Sequence, residues 1–450
     1  MSTPVQTQSR IEAVSHVHIE PTPGNPRWNM ATRIAFRFCF VYFSLFSLLT
    51  QVGSGLIAIP KVDVPFLEFL WPTRQIVFWI AAHVFGVKTQ LLTTESGSGD
   101  KIFDWVLLCC LLLLAVVATA VWSVLDRKRE NYVTMHKWFR LFLRFALGSE
   151  MLAYGLLKVI PVQMGFPSLS RLVEPFGNFS PMGVLWASVG ASPAYEMFAG
   201  SAETLAGILL LVPRTATLGA LVCLADVIQV FTLNMTYDVP VKMFSFHLAL
   251  MSVLLLAPEL RRLADFFLLN RTAGPSTQPE LFRAPRANRI AVVAQIVFGL
   301  WLAGNYLYLA RTSWYSYGGG APKPALYGIW NVEQLTIDGQ LRPPLLTDDD
   351  RWRRVIFDVH GLVLFQRMDD SMLRYTASIN DKDSTVVITK SDDKNWKGNF
   401  AFQRAEPNEL TLDGTMDSQK LHMQLKLVDR NSFLLISRRF HWVQEISFNR

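Results

Sequence analysis

Residues 139–160 read FRLFLRFALGSEMLAYGLLKVI, and the fold turns on how this stretch is understood. About 20 mainly apolar residues are what a helix needs to cross ~30 Å of hydrocarbon. Arg140 and Arg144 lie near one end, whereas Glu150 and Lys158 stand further along, where an unpaired charge facing lipid costs at least ~2.5–3.5 kcal/mol. The stretch therefore reads as a membrane span whose charges face other protein.

Six further apolar stretches fit the same reading, at 34–59, 103–125, 194–212, 216–233, 241–256 and 290–310. The whole chain is 450 residues, 51% hydrophobic and 18% charged, too apolar for an ordinary soluble protein. Basic residues crowd two connections: Arg127, Lys128, Arg129, Lys137 and Arg140 in one, and Arg261, Arg262, Arg271, Arg283, Arg286 and Arg289 in the other. The positive-inside rule makes both cytoplasmic. With seven spans, residues 1–28 form a cytoplasmic tail without a cleavable signal pattern, and everything after the last span is extracytoplasmic, so the expected setting is a multi-pass protein of the cell inner membrane. Segment 66–87 is apolar but carries Glu68, Pro72 and Arg74, and is expected to be interfacial or re-entrant.

The expected division is a tail (1–28), two spans with an extracytoplasmic interfacial segment (29–136), a four-helix core (137–270), a cytoplasmic linker (271–286), a seventh span (287–311), a linker (312–326) and a β-rich domain (327–450). In the last of these the hydrophobic period shifts from helical to alternating, giving about nine short strands, the size of one small antiparallel barrel. One of those expected strands covers 432–437. The net charge of +7 does not signal nucleic acid, because residues 327–450 hold 17 basic against 18 acidic residues and the surplus belongs to the membrane half.

Ionisable and polar residues inside the apolar stretches are the candidate site: Glu150, Tyr154 and Lys158 at spacings of four, Glu196 and Glu203 seven apart beside Gly200 and Gly207, then Asp226, Gln229 and His247. Four helices would not each carry a midplane charge toward lipid, so these groups are expected to converge on one polar interior suited to proton handling or to a polar headgroup. The cysteines Cys39, Cys109, Cys110 and Cys223 all fall inside spans, which leaves no disulfide framework and no cysteine metal site. His16 and His18 in the tail, and the Asp348–Asp350 and Asp392–Asp393 runs, lack metal-loop spacing, so no metal is expected. No Walker motif, dinucleotide fingerprint, HExxH or catalytic triad is present.

The runs Arg144-Phe145-Ala146-Leu147-Gly148, Tyr154-Gly155-Leu156-Leu157-Lys158, Ala202-Glu203-Thr204-Leu205-Ala206-Gly207 and Val212-Pro213-Arg214 resemble the DoxX family of four-helix membrane proteins over about residues 137–262. That resemblance implies a membrane component of a quinone-linked redox system, with a quinone at the polar interior and electrons supplied by a partner subunit. The isolated chain carries no catalytic pattern of its own. In the β domain, Gly328-Ile329-Trp330 near the start and Arg438-Arg439 near the end are similar to lipocalin and fatty-acid-binding barrels, in which a tryptophan closes the base and an arginine packs over it. That second likeness implies capture of a small apolar ligand. Three function classes thus stand open: a quinone-linked component, a binding or transport protein, and a structural or assembly factor without turnover.

Overall fold

The structure is a computed structural model and describes residues 27–449, apart from 63, 95, 277–279, 391, 392, 394 and 395. His16, His18 and Asp392 lie outside the described residues. The first half is helical: α1 Met30–Leu49, α2 Gln51–Leu56, α3 Thr73–His83, α4 Ile102–Leu125, α5 Val133–Val159, α6 Leu169–Val173, α7 Pro181–Gly190, α8 Pro193–Leu211, α9 Ala216–Thr236, α10 Lys242–Leu256, α11 Leu260–Phe267 and α12 Pro285–Ser316. Among the described residues, five helical stretches are long and apolar enough to cross a membrane: Met30–Leu49, Ile102–Leu125, Pro213–Thr236, Lys242–Phe267 and Pro285–Ser316. The stretches at 139–160 and 194–212, expected as spans, form the helices α5 and α8, of 27 and 19 residues, but neither is among these five: α5 carries too many charges, and α8, with only Glu196 and Glu203 charged, is too weakly apolar over its length.

Local chemistry sets several helix ends. Asn29 caps α1 by accepting the Thr32 N–H, and Asp104 reaches back to the Lys101 N–H at the start of α4. The expected interfacial segment forms only the 11-residue α3 after a short 3₁₀ turn, roughly 16 Å of helix, too short to span. The first expected span, 34–59, breaks at Thr50 into α1 and α2, and between α5 and α8 the chain forms α6 and α7 with a 3₁₀ turn between them.

Helix α5 is the hub. Fifteen of its 27 residues are buried, charged ones included, because α1, α2, α8, α10 and α12 surround it. Its tightest neighbour is α8, along a seam of glycines spaced by seven. A Cβ on Gly200 would sit 2.6 Å from the Gly155 carbonyl oxygen, and one on Gly207 would sit 3.1 Å from that of Gly148. The seam lets the two backbones touch, as small residues do between membrane helices.

The second half is a closed meander of strands β1 Gly328–Ile337, β2 Gln340–Leu341, β3 Trp352–Phe357, β4 Leu362–Arg367, β5 Met372–Asn380, β6 Thr385–Thr389, β7 Lys397–Gln403, β8 Glu409–Met416 and β9 Gln419–Leu427. Every neighbour is antiparallel, and β1 pairs with β9 to close an eight-stranded barrel, with β2 only a short extension folded back on β1. Asp417 and Ser418, both with positive φ, make the two-residue turn between β8 and β9. The expected strand at 432–437 is not formed. Asp429 caps a 3₁₀ turn at Arg430–Ser432 instead, followed by the short α13 Leu434–Ser437, because β1 already completes the ring against β9.

The barrel interior is one apolar cluster that includes Trp330, Trp352, Phe365, Tyr375, Phe400 and Met423. A second patch faces outward. Ile329, Ile356 and Leu364 are mutually paired across β1, β3 and β4, and they are buried because Leu169 of α6 packs on them. The Leu169 N–H donates to Asp358 at 2.9 Å, and the Gln366 amide donates to the Val173 carbonyl at 3.3 Å.

Candidate functional site

The glycine seam brings the end of α5 against the middle of α8, and the Lys158 ammonium there forms an ion pair with Glu203. Both side chains are more than nine-tenths buried. Lys158 sits in the last turn of α5, where free carbonyls favour a cation. Its partner uses one oxygen in the pair, and Oε2 of Glu203 is buried without a hydrogen bond, as is Oδ2 of Asp226 on α9.

These groups line a cavity of about 260 Å³ among α5, α7, α8, α9 and α10. Tyr154, Lys158, Glu203, Asp226 and Gln229 give it a polar side, and Met151, Val227, Leu233 and Leu248 an apolar one. Asp226 lies within electrostatic reach of both Glu203 and Lys158. The loop after α5 covers the space: Trp186 of α7 donates its indole N–H to the Gln163 carbonyl at 3.0 Å, and both residues line the cavity. Glu196 is fully buried and accepts the Met164 N–H at 2.8 Å, so it ties that covering loop to the first turn of α8.

The expected single site of eight residues is divided. Glu150, Tyr154 and Lys158 do not share one direction, because two steps of four residues turn a helix by roughly 80° beyond full circles. Glu150 consequently faces α2, where it accepts from the Gln51 amide at 3.1 Å. The same amide donates to the Tyr154 hydroxyl at 2.9 Å, which leaves Tyr154 between the two regions. Tyr154 also lines a second cavity of about 240 Å³ bounded by α1, α2, α4 and α10, with Phe244 in both walls.

His247 is separate from the 260 Å³ cavity. Its ring stacks on Phe46 with centroids 4.2 Å apart. Nδ1 lies 2.7 Å from the Met243 carbonyl, which can only accept, so Nδ1 carries the proton and Nε2 accepts from the Tyr42 hydroxyl at 2.7 Å. The histidine thus joins α10 to α1, and convergence of Glu150, Lys158, Glu203, Asp226 and His247 on one point is corrected to three groups at the cavity, one facing α2 and one facing α1. Sequence reading also passed over Gln51, Gln163, Trp186 and Tyr42. A glutamine just after the apolar α1 was a readable signal for Gln51, whereas the others depend on tertiary packing.

In the barrel, Trp330 is fully buried and donates to the Leu326 carbonyl at 2.9 Å. Gly328 precedes it at φ +150°, with a Leu427 methyl 2.4 Å from where a Cβ would stand. Arg438 and Arg439 do not pack over Trp330. They are exposed in the segment beyond β9, where Arg438 bonds to Gln444 and lies over Phe448. The arginine over Trp330 is Arg404, 5.5 Å from the ring centroid in the β7–β8 connection, since no strand after β9 returns the later arginines to the barrel end. Among the described residues, no three or more His, Cys, Asp or Glu side chains group as metal ligands, and Asp348 instead bonds to the Asp350 N–H within a turn.

No family model and no solved structure matches the chain. Over 129 residues, 29% of this chain and 79% of the relative, it is 34% identical to the uncharacterised protein YwoB of Bacillus subtilis (strain 168). With a match of that identity and coverage, the chain belongs to the family of YwoB.

Proposed function

We propose that this is a seven-span membrane protein of DoxX type, in which α5, α8, α9 and α10 form the four-helix core and hold the polar head of a membrane-soluble small molecule, a quinone by preference. The observation that carries the reading is the buried Lys158–Glu203 pair, with an oxygen of Glu203 and one of Asp226 left without partners at the cavity. Buried polar groups are normally satisfied, and unsatisfied ones call for a ligand or water. Lys158 and Tyr154 supply donors for a ring carbonyl oxygen, the unpartnered oxygens of Glu203 and Asp226 supply acceptors for a ring hydroxyl, and the apolar wall suits a ring. Electrons would come from a partner subunit.

Counting α5 and α8 as spans is supported by their burial: Arg140, Arg144, Glu150 and Lys158 on α5 and Glu196 and Glu203 on α8 are covered by neighbouring protein. The basic connections at 127–140 and 261–289 then face the cytoplasm and the barrel lies outside. The packed apolar interior of the barrel supports an architectural role for it over ligand capture.

The test is mass spectrometry of organic extracts from purified wild-type protein and from Glu203→Gln and Lys158→Met. Wild type should retain an isoprenoid quinone and both variants should lose most of it. Absence of quinone from wild type, or equal retention in all three, would overturn the reading.

A further inference from the structure

At the opposite end of the bundle from the barrel, a groove of about 900 Å³ opens between α5, the α8–α9 turn and the start of α12. Lys137, Arg140, Arg144, Arg214 and Arg289 line it, against the single carboxylate of Glu280. Three of these cations are committed. Lys137 donates to the Glu280 and Leu281 carbonyls, Arg140 lies 3.6 Å from buried Glu259, and Arg144 donates to the Leu210 and Leu211 carbonyls at the end of α8. The side chains of Arg214 and Arg289 make no hydrogen bond or ion pair with any described residue. The groove continues along α12 past Val292, Val293 and Ile296, so its basic mouth adjoins an apolar wall.

We propose that this groove is a binding site for an anionic phospholipid, with the phosphodiester between Arg214 and Arg289 and an acyl chain along α12. Arginine suits phosphate because its planar fork offers paired donors. A soluble phosphate would need only the basic mouth. The adjoining apolar wall on a helix long and apolar enough to span a membrane is what selects a lipid. This site shares no residue with the Lys158–Glu203 cavity and stands whether or not that cavity holds a quinone.

The test uses full-length protein in nanodiscs of phosphatidylcholine doped with phosphatidylglycerol, with the lipid retained after detergent extraction counted by native mass spectrometry. Phosphatidylglycerol should be enriched on wild type relative to the disc. Arg214→Gln with Arg289→Gln should cut that enrichment about twenty-five-fold, at about fivefold per cation near a membrane surface. Both arginines are exposed and support no other described residue, so the double variant should keep the wild-type melting temperature. Val293→Asn, which makes the apolar wall polar without adding a charge, should also reduce retention. Equal retention of the two lipids, unchanged enrichment in the double variant, or full competition by millimolar inorganic phosphate would each overturn the proposal.

Discussion

Breaking the Lys158–Glu203 pair from either side, and then from both, is the sharpest trial of the bundle's interior. The two side chains expose 9% and 5% of their surface, so solvent screens them little. Removing one partner from such a buried pair typically costs about 3–5 kcal/mol, because the surviving charge is left uncompensated. Replacing both with apolar residues of similar volume is often close to neutral. Lys158→Met and Glu203→Leu should therefore each destabilise by about 3–5 kcal/mol, while the double variant returns to within about 2 kcal/mol of wild type. The coupling energy would then exceed about 3 kcal/mol, far above the ~0.6 kcal/mol average for interhelical hydrogen bonds in membranes. Reversible unfolding of the four proteins in mixed micelles measures the cycle. Additive effects, with coupling below about 0.5 kcal/mol, would mean that the charges do not meet in a shared interior, and the argument for the cavity would collapse.

Four further outcomes are expected. Gly200→Val should loosen α5 from α8 by about 1–3 kcal/mol, read as a lower melting temperature, since its first added atom meets the Gly155 carbonyl; an unchanged value would refute the seam. Residues 323–450 expressed alone should fold with a strand-dominated circular dichroism spectrum, and a helical or unfolded spectrum would contradict an independent barrel. Burial pushes the Asp358 carboxyl up despite the Leu169 N–H, Lys323 and Arg430 pulling it down, so the docked state favours the protonated form. Docking of α6 on the barrel should accordingly be strongest below about pH 4, the ordinary aspartate value, and weaken as pH rises through the raised one, which hydrogen exchange of 169–173 would detect; strengthening with pH would be the wrong sign. A reporter active only outside the cytoplasm should work after Arg450 and fail after Glu130, and the reverse would invert the orientation.

The helical half was legible because its signals are one-dimensional. Length and apolarity mark a span without knowledge of its neighbours, and the seven-residue spacing of Gly200 and Gly207 announced a close helix contact. Direction around a helix was less legible. Placing Glu150 with Lys158 treated a spacing of eight as one face, and the accumulated rotation turned the glutamate toward Gln51. His247 was misplaced for a different reason: its partner Tyr42 lies 205 positions away, and nothing local specifies which neighbour α10 meets on each side. Arg438 and Arg439 were read as closing a barrel that β1 and β9 close without them.

The docked patch on the barrel shows a signal that alternation alone obscures. Strands with one solvated face alternate, but Val355-Ile356-Phe357 and Leu362-Val363-Leu364-Phe365 are continuous apolar runs, which imply burial on both faces. Val355, Phe357, Val363 and Phe365 fill the barrel, so Ile356 and Leu364 need an outside partner, and Leu169 supplies it. The consequence reaches the membrane half. Leu169 lies six residues beyond Gln163 in the same loop, which Glu196 holds through Met164 and Trp186 holds through the Gln163 carbonyl. The barrel therefore grips the segment that covers the Lys158–Glu203 cavity. Leu169→Asp would bury a charge against Ile329, Ile356 and Leu364 and should detach that grip without touching a cavity residue.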